Sequence, residues 1–230
     1  VKYKCFGTGS KGNMHRLSHN ERYVYLDAGL AFPRFKESCG WQLDRVDFVA
    51  LTHGHADHGK CFDDIKKAGI PTISPPIDDW ESTQTEFNMG DYLVRSWDVE
   101  HDVRNWAYLL YHKPTKHKIA YMTDFSYTKL VPATVDTLIL EISYIDDIIE
   151  SKQNELGDRY LRLVKYHNSL RRAKELLQKM IDSEGYKLNN LIICHLSDKN
   201  SDAELIKQEL FELTGIMPVI ADKGIEVKLT

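Results

Sequence analysis

Residues 48–60 read FVALTHGHADHGK. An apolar run stops, and His53, His55, Asp57 and His58 follow at once. This stretch constrains the chain more than any other, because four metal-binding side chains crowd the end of one strand-like segment. His53 and His55 are two apart, so in extended chain they point the same way. The chain must then turn, which brings Asp57 and His58 round from the other side, and Gly54 and Gly59 leave room for that turn. One loop can therefore offer two imidazoles to one cation, and a carboxylate plus an imidazole to a neighbour.

The pattern recurs along the chain. SWDVEH ends in His101, IAYMTD in Asp124 and LIICH in His195. Strand ends that converge on a cleft are where α/β proteins build sites. The seven residues suffice for two cations, with His53, His55 and His101 on one and Asp57, His58 and His195 on the other. The Asp124 carboxylate can bridge both.

The remaining segments read as an α/β mixture. VKYKCFG, ERYVYLDAG, VDFVALTH, DYLVRSWDVEH, NWAYLLYH, HKIAYMTD, VDTLILEIS and LNNLIICHLSD are strand candidates. Residues 59–69 predict one short helix closed by Gly69. In HNSLRRAKELLQKMIDSEG, the residues Leu170, Ala173, Leu177, Met180 and Ile181 recur at helical spacing. Asn168 or Ser169 can cap its start, and Gly185 can close it. SDAELIKQELFELTG predicts a helix capped by Ser201, with Leu205, Ile206, Leu210 and Leu213 on one face. With no repeat and no linker, a single mixed α/β domain over residues 1–230 is expected.

Charge and cysteine usage narrow the partners. The net charge is −4 and the pI near 6.2, which is no general basic footprint, so nucleic-acid binding would rest on a local patch or on metal ions. The dense basic run is 150–174, with Lys152, Arg159, Arg162, Lys165, Arg171, Arg172 and Lys174. It reads either as a phosphate-tracking face or as a solvated helix surface. Trp41, Trp80, Trp97 and Trp106 offer stacking surfaces or core. Cys5, Cys39, Cys61 and Cys194 form no C-x-x-C pair, which suggests reduced thiols and a cytoplasmic location. No apolar run approaches the roughly 20 residues needed to cross a bilayer.

THGHADHG resembles the H-x-H-x-D-H motif of the metallo-β-lactamase superfamily. LDAG at 26–29 resembles its other early motif, and the ordered series His101, Asp124 and His195 its later ones. The resemblance implies a four-layer αββα sandwich with the metals at one edge. It also implies that Asp27 supports the metal loop from behind. True β-lactamases carry a cysteine where this chain has Asp124, and the diiron flavoproteins an acid where it has His55. GTGSKGN, HLSDKN, LDAGL, HDVRNWAYLL, IAYMTDFS and LILEIS look most like the YycJ/WalJ group of small exonucleases. HNSLRRAKELL also looks like that group, with His167 on a histidine that precedes a helix. The inserted domain of β-CASP nucleases has no room here. Between Glu141 and His167 no Gly/Pro-rich arm of the ribonuclease Z type is visible.

These readings predict a binuclear phosphodiester hydrolase with two divalent cations, zinc or manganese. Cations about 3.5–4 Å apart hold a bridging hydroxide that attacks phosphorus. Asp57 would ligate and orient it, and Asp27 would fix a ligand by hydrogen bonding. His167 would serve the leaving group. Ser10, Lys11 and Asn13 lie in a Gly-bounded loop suited to an anion, while Ser197 and Asn200 line the cleft or cap a helix. A DNA exonuclease or other nuclease is the leading expectation. A cyclic-nucleotide phosphodiesterase of the phage counter-defence type, a glyoxalase-II-like thioester hydrolase and a non-catalytic metal binder stay open. The expected partner is a nucleic acid or nucleotide, with no membrane, and a homodimer is left open.

Overall fold

The structure, a computed structural model, describes residues 1–76 and 84–230, so Trp80 lies outside the described residues. The first sheet takes β1 (Lys2–Gly7), β2 (Met14–His19), β3 (Arg22–Leu26), β4 (Val46–Ala50) and β5 (Thr72–Ile73). The second takes β6 (Gln84–Met89), β7 (Tyr92–Val99), β8 (Asn105–His112), β9 (His117–Met122), β10 (Thr137–Glu141), β11 (Asn190–Cys194) and β12 (Val219–Ile220). The last strand, β13 (Glu226–Lys228), returns to the first sheet beside β1. Strand orders are β13-β1-β2-β3-β4-β5 and β12-β11-β10-β9-β8-β7-β6. The β2–β3 hairpin turns on Asn20 and Glu21, both with positive φ, as a two-residue turn that follows the strand twist requires.

The sheets pack face to face. Tyr3, Leu17, Val24 and Phe48 on one meet Val94, Leu110, Ile119, Ile139 and Ile192 on the other. Helices cover the outer faces. On the first sheet α1 (Phe32–Ser38) and α3 (Phe62–Lys67) bury Phe35, Phe62 and Ile65 against Tyr25 and Val49. On the second, α7 (Leu170–Ile181) and α8 (Ala203–Thr214) bury Ala173, Leu177, Met180, Ile206 and Leu210 against Met122, Leu138, Leu140 and Ile193. This is the four-layer αββα sandwich expected from the sequence. Among the described residues the remaining α-helices are α2 (Ala56–Gly59), α4 (Asp146–Ser151), α5 (Gln153–Leu156) and α6 (Asp158–Tyr166), and one 3-10 turn spans Leu43–Arg45.

Local details depart from the sequence reading. Residues 59–69 form no single helix: α2 ends at Gly59, Lys60 and Cys61 intervene, and α3 follows, with Gly69 left-handed beyond it. The cap of α8 is Asp202, not Ser201, because its carboxylate accepts from the Glu204 and Leu205 amides. Leu205 is exposed, so the buried stripe of α8 is Ile206 and Leu210. Ser169 caps α7 as expected, but Asp182 is its C-cap and Gly185 lies further on in a turn. Trp97 and Trp106 are buried, while Trp41 is exposed. All four cysteines are free and buried. Among the described residues no helix is long and apolar enough to cross a membrane.

Candidate metal centre

Parallel pairing sets the site. β3–β4–β5 run parallel in one sheet and β9–β10–β11–β12 in the other. The chain leaves β3 at Asp27, β4 at His53, β9 at Asp124 and β11 at His195, all at carboxyl ends of strands, where such sheets leave a crevice. Asp27, Asp124 and His195 all hold positive φ, at 62°, 52° and 57°. Non-glycine residues rarely adopt this conformation, which the surrounding structure must enforce.

Hydrogen bonds fix which ring nitrogens face inward. Thr52 Oγ1 donates to Asp27 Oδ1 at 2.9 Å, so it accepts from His53 Nδ1 at 3.0 Å and leaves His53 Nε2 unprotonated. His58 Nδ1 donates to Asp27 Oδ2 at 2.7 Å, and Tyr121 donates to the same oxygen at 2.7 Å. His101 Nδ1 lies 3.1 Å from the Tyr166 carbonyl, which can only accept, so His101 Nε2 is the unprotonated nitrogen.

The inward atoms of the expected ligands form two overlapping groups, and Asp124, Glu141, His167 and His195 make a third beside them. His55 Nδ1 lies 3.1 Å from His53 Nε2 and 3.4 Å from His101 Nε2. Two of these three nitrogens carry bare lone pairs. A tetrahedral site with metal–nitrogen bonds of 2.0–2.1 Å has ligand–ligand edges of about 3.3 Å, so the spacing fits one cation. In the second group Asp124 reaches His58 Nε2 at 3.3 Å through Oδ2 and His195 Nε2 at 3.3 Å through Oδ1. Asp57 Oδ2 stands 3.8 Å and 4.0 Å from the same two nitrogens. Asp124 Oδ2 is also 3.7 Å from His53 Nε2, between the groups. Both ring nitrogens of buried His195 lack a hydrogen-bond partner, a costly state that a cation would relieve.

Electrostatics agree. Burial pulls the His58 and His195 imidazoles down. Asp124 and Asp27 outweigh it at His58, and Asp124 and Asp57 at His195, so both rings rise above their ordinary values. Burial pushes the Asp124 carboxyl up, but His195 and His58 hold it well below the usual range. His53 and His101 are pulled down by burial and stay neutral. The pocket demands positive charge, and its inward nitrogens are suited to take it from cations.

No protein-family model and no curated protein matches this sequence. Solved structures do match it. The metallo-β-lactamase fold protein YhfI from Bacillus subtilis is similar at 15% identity and a TM-score of 0.73, over 99% of each chain. Human tRNase Z, short form, is similar at 13% identity and 0.68, over 100% of each chain. Yeast PDE1 is similar at 12% and 0.67, over 99% of each. The chain has the metallo-β-lactamase fold.

Within this metallo-β-lactamase fold the other expected site residues separate. Ser10, His167, Ser197 and Asn200 line a cleft of about 920 Å³ with His55, Asp57, His101, Asp124 and His195 in its wall. Asn13, expected to meet substrate, is buried instead. Its amide oxygen accepts from Gly9 N at 2.7 Å and its nitrogen donates to Gly9 O and Asp57 O at 3.2 Å each and lies 2.9 Å from His58 Nε2, so it is an internal brace. Thr8 Oγ1 accepts from the His195 amide at 2.7 Å. The loop at 8–13 thus ties together ligand loops from both sheets. The basic run also divides. Lys152, Arg159 and Arg162 line the cleft with Lys11 and Lys199. Arg171 pairs with Asp146, Lys174 with Glu209, and Arg172 holds the Val164 and His167 carbonyls.

Glu141 escaped the sequence reading. It ends β10, is fully buried, and accepts from His167 Nδ1 at 2.7 Å and from the Phe125 amide at 3.1 Å. Its signal was there: an acid closing a strand whose every residue is buried must have a partner. Burial lowers the His167 imidazole, but Glu141 outweighs it and raises the group to about 9.

Proposed function

We propose that residues 1–230 act as one domain, a phosphodiester hydrolase with two divalent cations, zinc or manganese, that cleaves a polynucleotide in the manner of an exonuclease. The observation that carries this reading is the placement of Lys11, Lys152, Arg159, Arg162 and Lys199 around a cleft that exposes the His/Asp cluster. A glutathione thioester carries one net negative charge, which a single cation can serve, whereas successive phosphates call for a rim of several. The cleft also adjoins a cavity of about 530 Å³ that shares Thr8, Lys11 and Asp198 with it and includes Phe6, Met14 and Leu30. Its apolar lining suits a base beyond the scissile phosphate. That one similar structure is named a tRNase is in line with a polynucleotide.

Two cations held by His53, His55 and His101 and by Asp57, His58 and His195, with Asp124 common to both, would supply Lewis acidity, an activated water and charge neutralisation for the phosphate. The protein's residues do the rest. The basic rim draws in and orients the strand. Asp57, at the open side of the second group, orients the attacking oxygen. Asp27 fixes His58 by accepting from Nδ1, and Tyr121 and Thr52 hold Asp27 in turn. His167 keeps Nδ1 on Glu141, which leaves Nε2 as its nitrogen for donating a proton to the departing oxygen. Two nearby dications would pull this imidazole from about 9 back toward neutrality, where a general acid works best.

The test is a substrate panel with added Mn²⁺ or Zn²⁺: duplex and single-stranded DNA, RNA, cyclic nucleotides, bis(p-nitrophenyl) phosphate and S-lactoylglutathione. Cleavage of a polynucleotide and of the small diester is expected. Turnover of cyclic nucleotides or of the thioester alone would overturn the reading.

A further inference from the structure

Asn105 opens β8, and the ladder between β8 and β9 stops short of it. The paired register runs from His112↔His117 to Tyr108↔Tyr121, and continued it would set Asn105 opposite Asp124. Instead the Trp106 amide turns away and donates to the Thr52 carbonyl, at the metal loop, at 3.0 Å. The Asn105 side chain meets the carbonyls that close β9, donating through Nδ2 to Thr123 at 2.9 Å and to Asp124 at 2.6 Å. Carbonyls only accept, which fixes the amide nitrogen toward them. Asn105 is 1% exposed, and its Oδ1 has no partner among the described residues, a costly state for a side chain that served only as filler. The Asp124–Phe125 peptide group is held at its other end too, since the Phe125 amide donates to Glu141 Oε2 at 3.1 Å.

Asp124 needs such a hold. Its φ of 52° is left-handed, which a residue with a side chain adopts only where its surroundings over-determine it. In that conformation its carboxylate stands between the groups, with Oδ1 3.3 Å from His195 Nε2 and Oδ2 3.3 Å from His58 Nε2 and 3.7 Å from His53 Nε2. A relaxed, extended φ would carry Cβ, and the carboxylate with it, out of that place.

We propose that Asn105 is a positioning residue for the bridging carboxylate: with Glu141 it clamps the Asp124–Phe125 peptide group and keeps Asp124 left-handed between the two cation sites. This inference rests on the metal-dependent reading above and deepens it. Glu141 accepts from His167 through its other oxygen, so the clamp also ties the bridge to the group assigned to the leaving oxygen.

The experiment is calorimetric titration of chelator-treated protein with Mn²⁺ and Zn²⁺, with the Co²⁺ absorption spectrum as a second readout. Because Asp124 touches both groups, Asn105→Ala should weaken both cations by about tenfold to a hundredfold and alter the Co²⁺ ligand-field bands. Leu210→Ala, a truncation in the core beneath α8, is the structural control. Circular-dichroism melting should show it destabilised, yet it should bind both cations like the wild type. Asn105→Ser keeps a donor of shorter reach and serves if the alanine variant does not fold, with weakening of both cations expected in it too. Wild-type affinity for both cations and an unchanged Co²⁺ spectrum in a folded Asn105 variant would overturn the proposal and leave the hydrolase reading standing. Equal weakening in Asn105→Ala and Leu210→Ala would also overturn it, since the bonds would then serve stability alone. A wild-type protein that takes up no cation would overturn both the proposal and the hydrolase reading.

Discussion

Gly29 packs so closely on the metal loop that replacing it should disable the centre without touching a ligand. A Cβ at Gly29 would lie 1.8 Å from the Asp57 carbonyl oxygen and 2.7 Å from the Asn13 amide. Ordinary contact begins near 3.4 Å, so the Asp57 carbonyl must retreat by about 1.6 Å. Its present place is held by the Asn13 amide at 2.7 Å, and the neighbouring His58 carbonyl by the Ala28 amide at 2.6 Å. Breaking one such buried bond costs about 1–3 kcal/mol, and a catalytic group misplaced by about 1 Å can lose 10²-fold in rate. Gly29→Ala should therefore lose at least about 10²-fold in turnover of bis(p-nitrophenyl) phosphate and weaken the second cation. Gly54, between His53 and His55, is the control. A Cβ there meets nothing within 4 Å, so Gly54→Ala should stay within about twofold of wild type. Turnover and metal titration on both variants decide it. A Gly29→Ala protein with both cations at wild-type affinity and full turnover would refute the packing argument.

Asp57→Ala or Asp57→Asn should lose at least about 10²-fold in hydrolysis while melting like the wild type, and wild-type turnover by the folded variant would place the chemistry elsewhere. Neutralising Lys11, Lys152 and Arg159 together should raise KM for DNA and flatten its salt dependence, with bis(p-nitrophenyl) phosphate little affected; equal loss on both substrates would mean that these residues shape the centre. Burial pulls His15 down to about 4 from an ordinary 6.5, so between those values the unfolded chain binds the extra proton. Stability from this group is complete above about pH 6.5 and falls as the pH drops toward 4. At pH 5 the loss is about 2 kcal/mol. Other histidines of the metal-free protein titrate over the same interval with the opposite sign, so the readout is the comparison of variants: between pH 7.5 and 5.0 His15→Asn should lose about 2 kcal/mol less stability in urea unfolding than the wild type.

Much of the site was legible because strand ends punctuate the sequence. His101, Asp124 and His195 each close an apolar run, and the parallel pairing of β9, β10 and β11 turns that regularity into one crevice. Glu141 was harder to see. A lone acid at the end of a strand has a bland reading, and only its partner His167 reveals it. Asn13 misled for the opposite reason. A Gly-bounded loop suggests an anion cradle, but three-dimensional closure turns its amide inward onto Asp57 and His58. Gly54 was read as leaving room for the turn, and it has open space around it, but Gly29 carries the tight approach. Such approaches join segments far apart in the chain and leave no periodic trace. Short elements such as α2 fell below what hydrophobic spacing resolves, and the Ser201–Asp202 ambiguity is one residue wide, within the usual uncertainty of helix ends.

The most direct measurement is a crystal structure grown with Mn²⁺ or Zn²⁺, with anomalous maps on both sides of the metal edge. Two peaks are expected, one among His53, His55 and His101 and one among Asp57, His58 and His195, with Asp124 touching both. A single peak at saturating metal, with Asp57, His58 and His195 unligated, would contradict the binuclear centre.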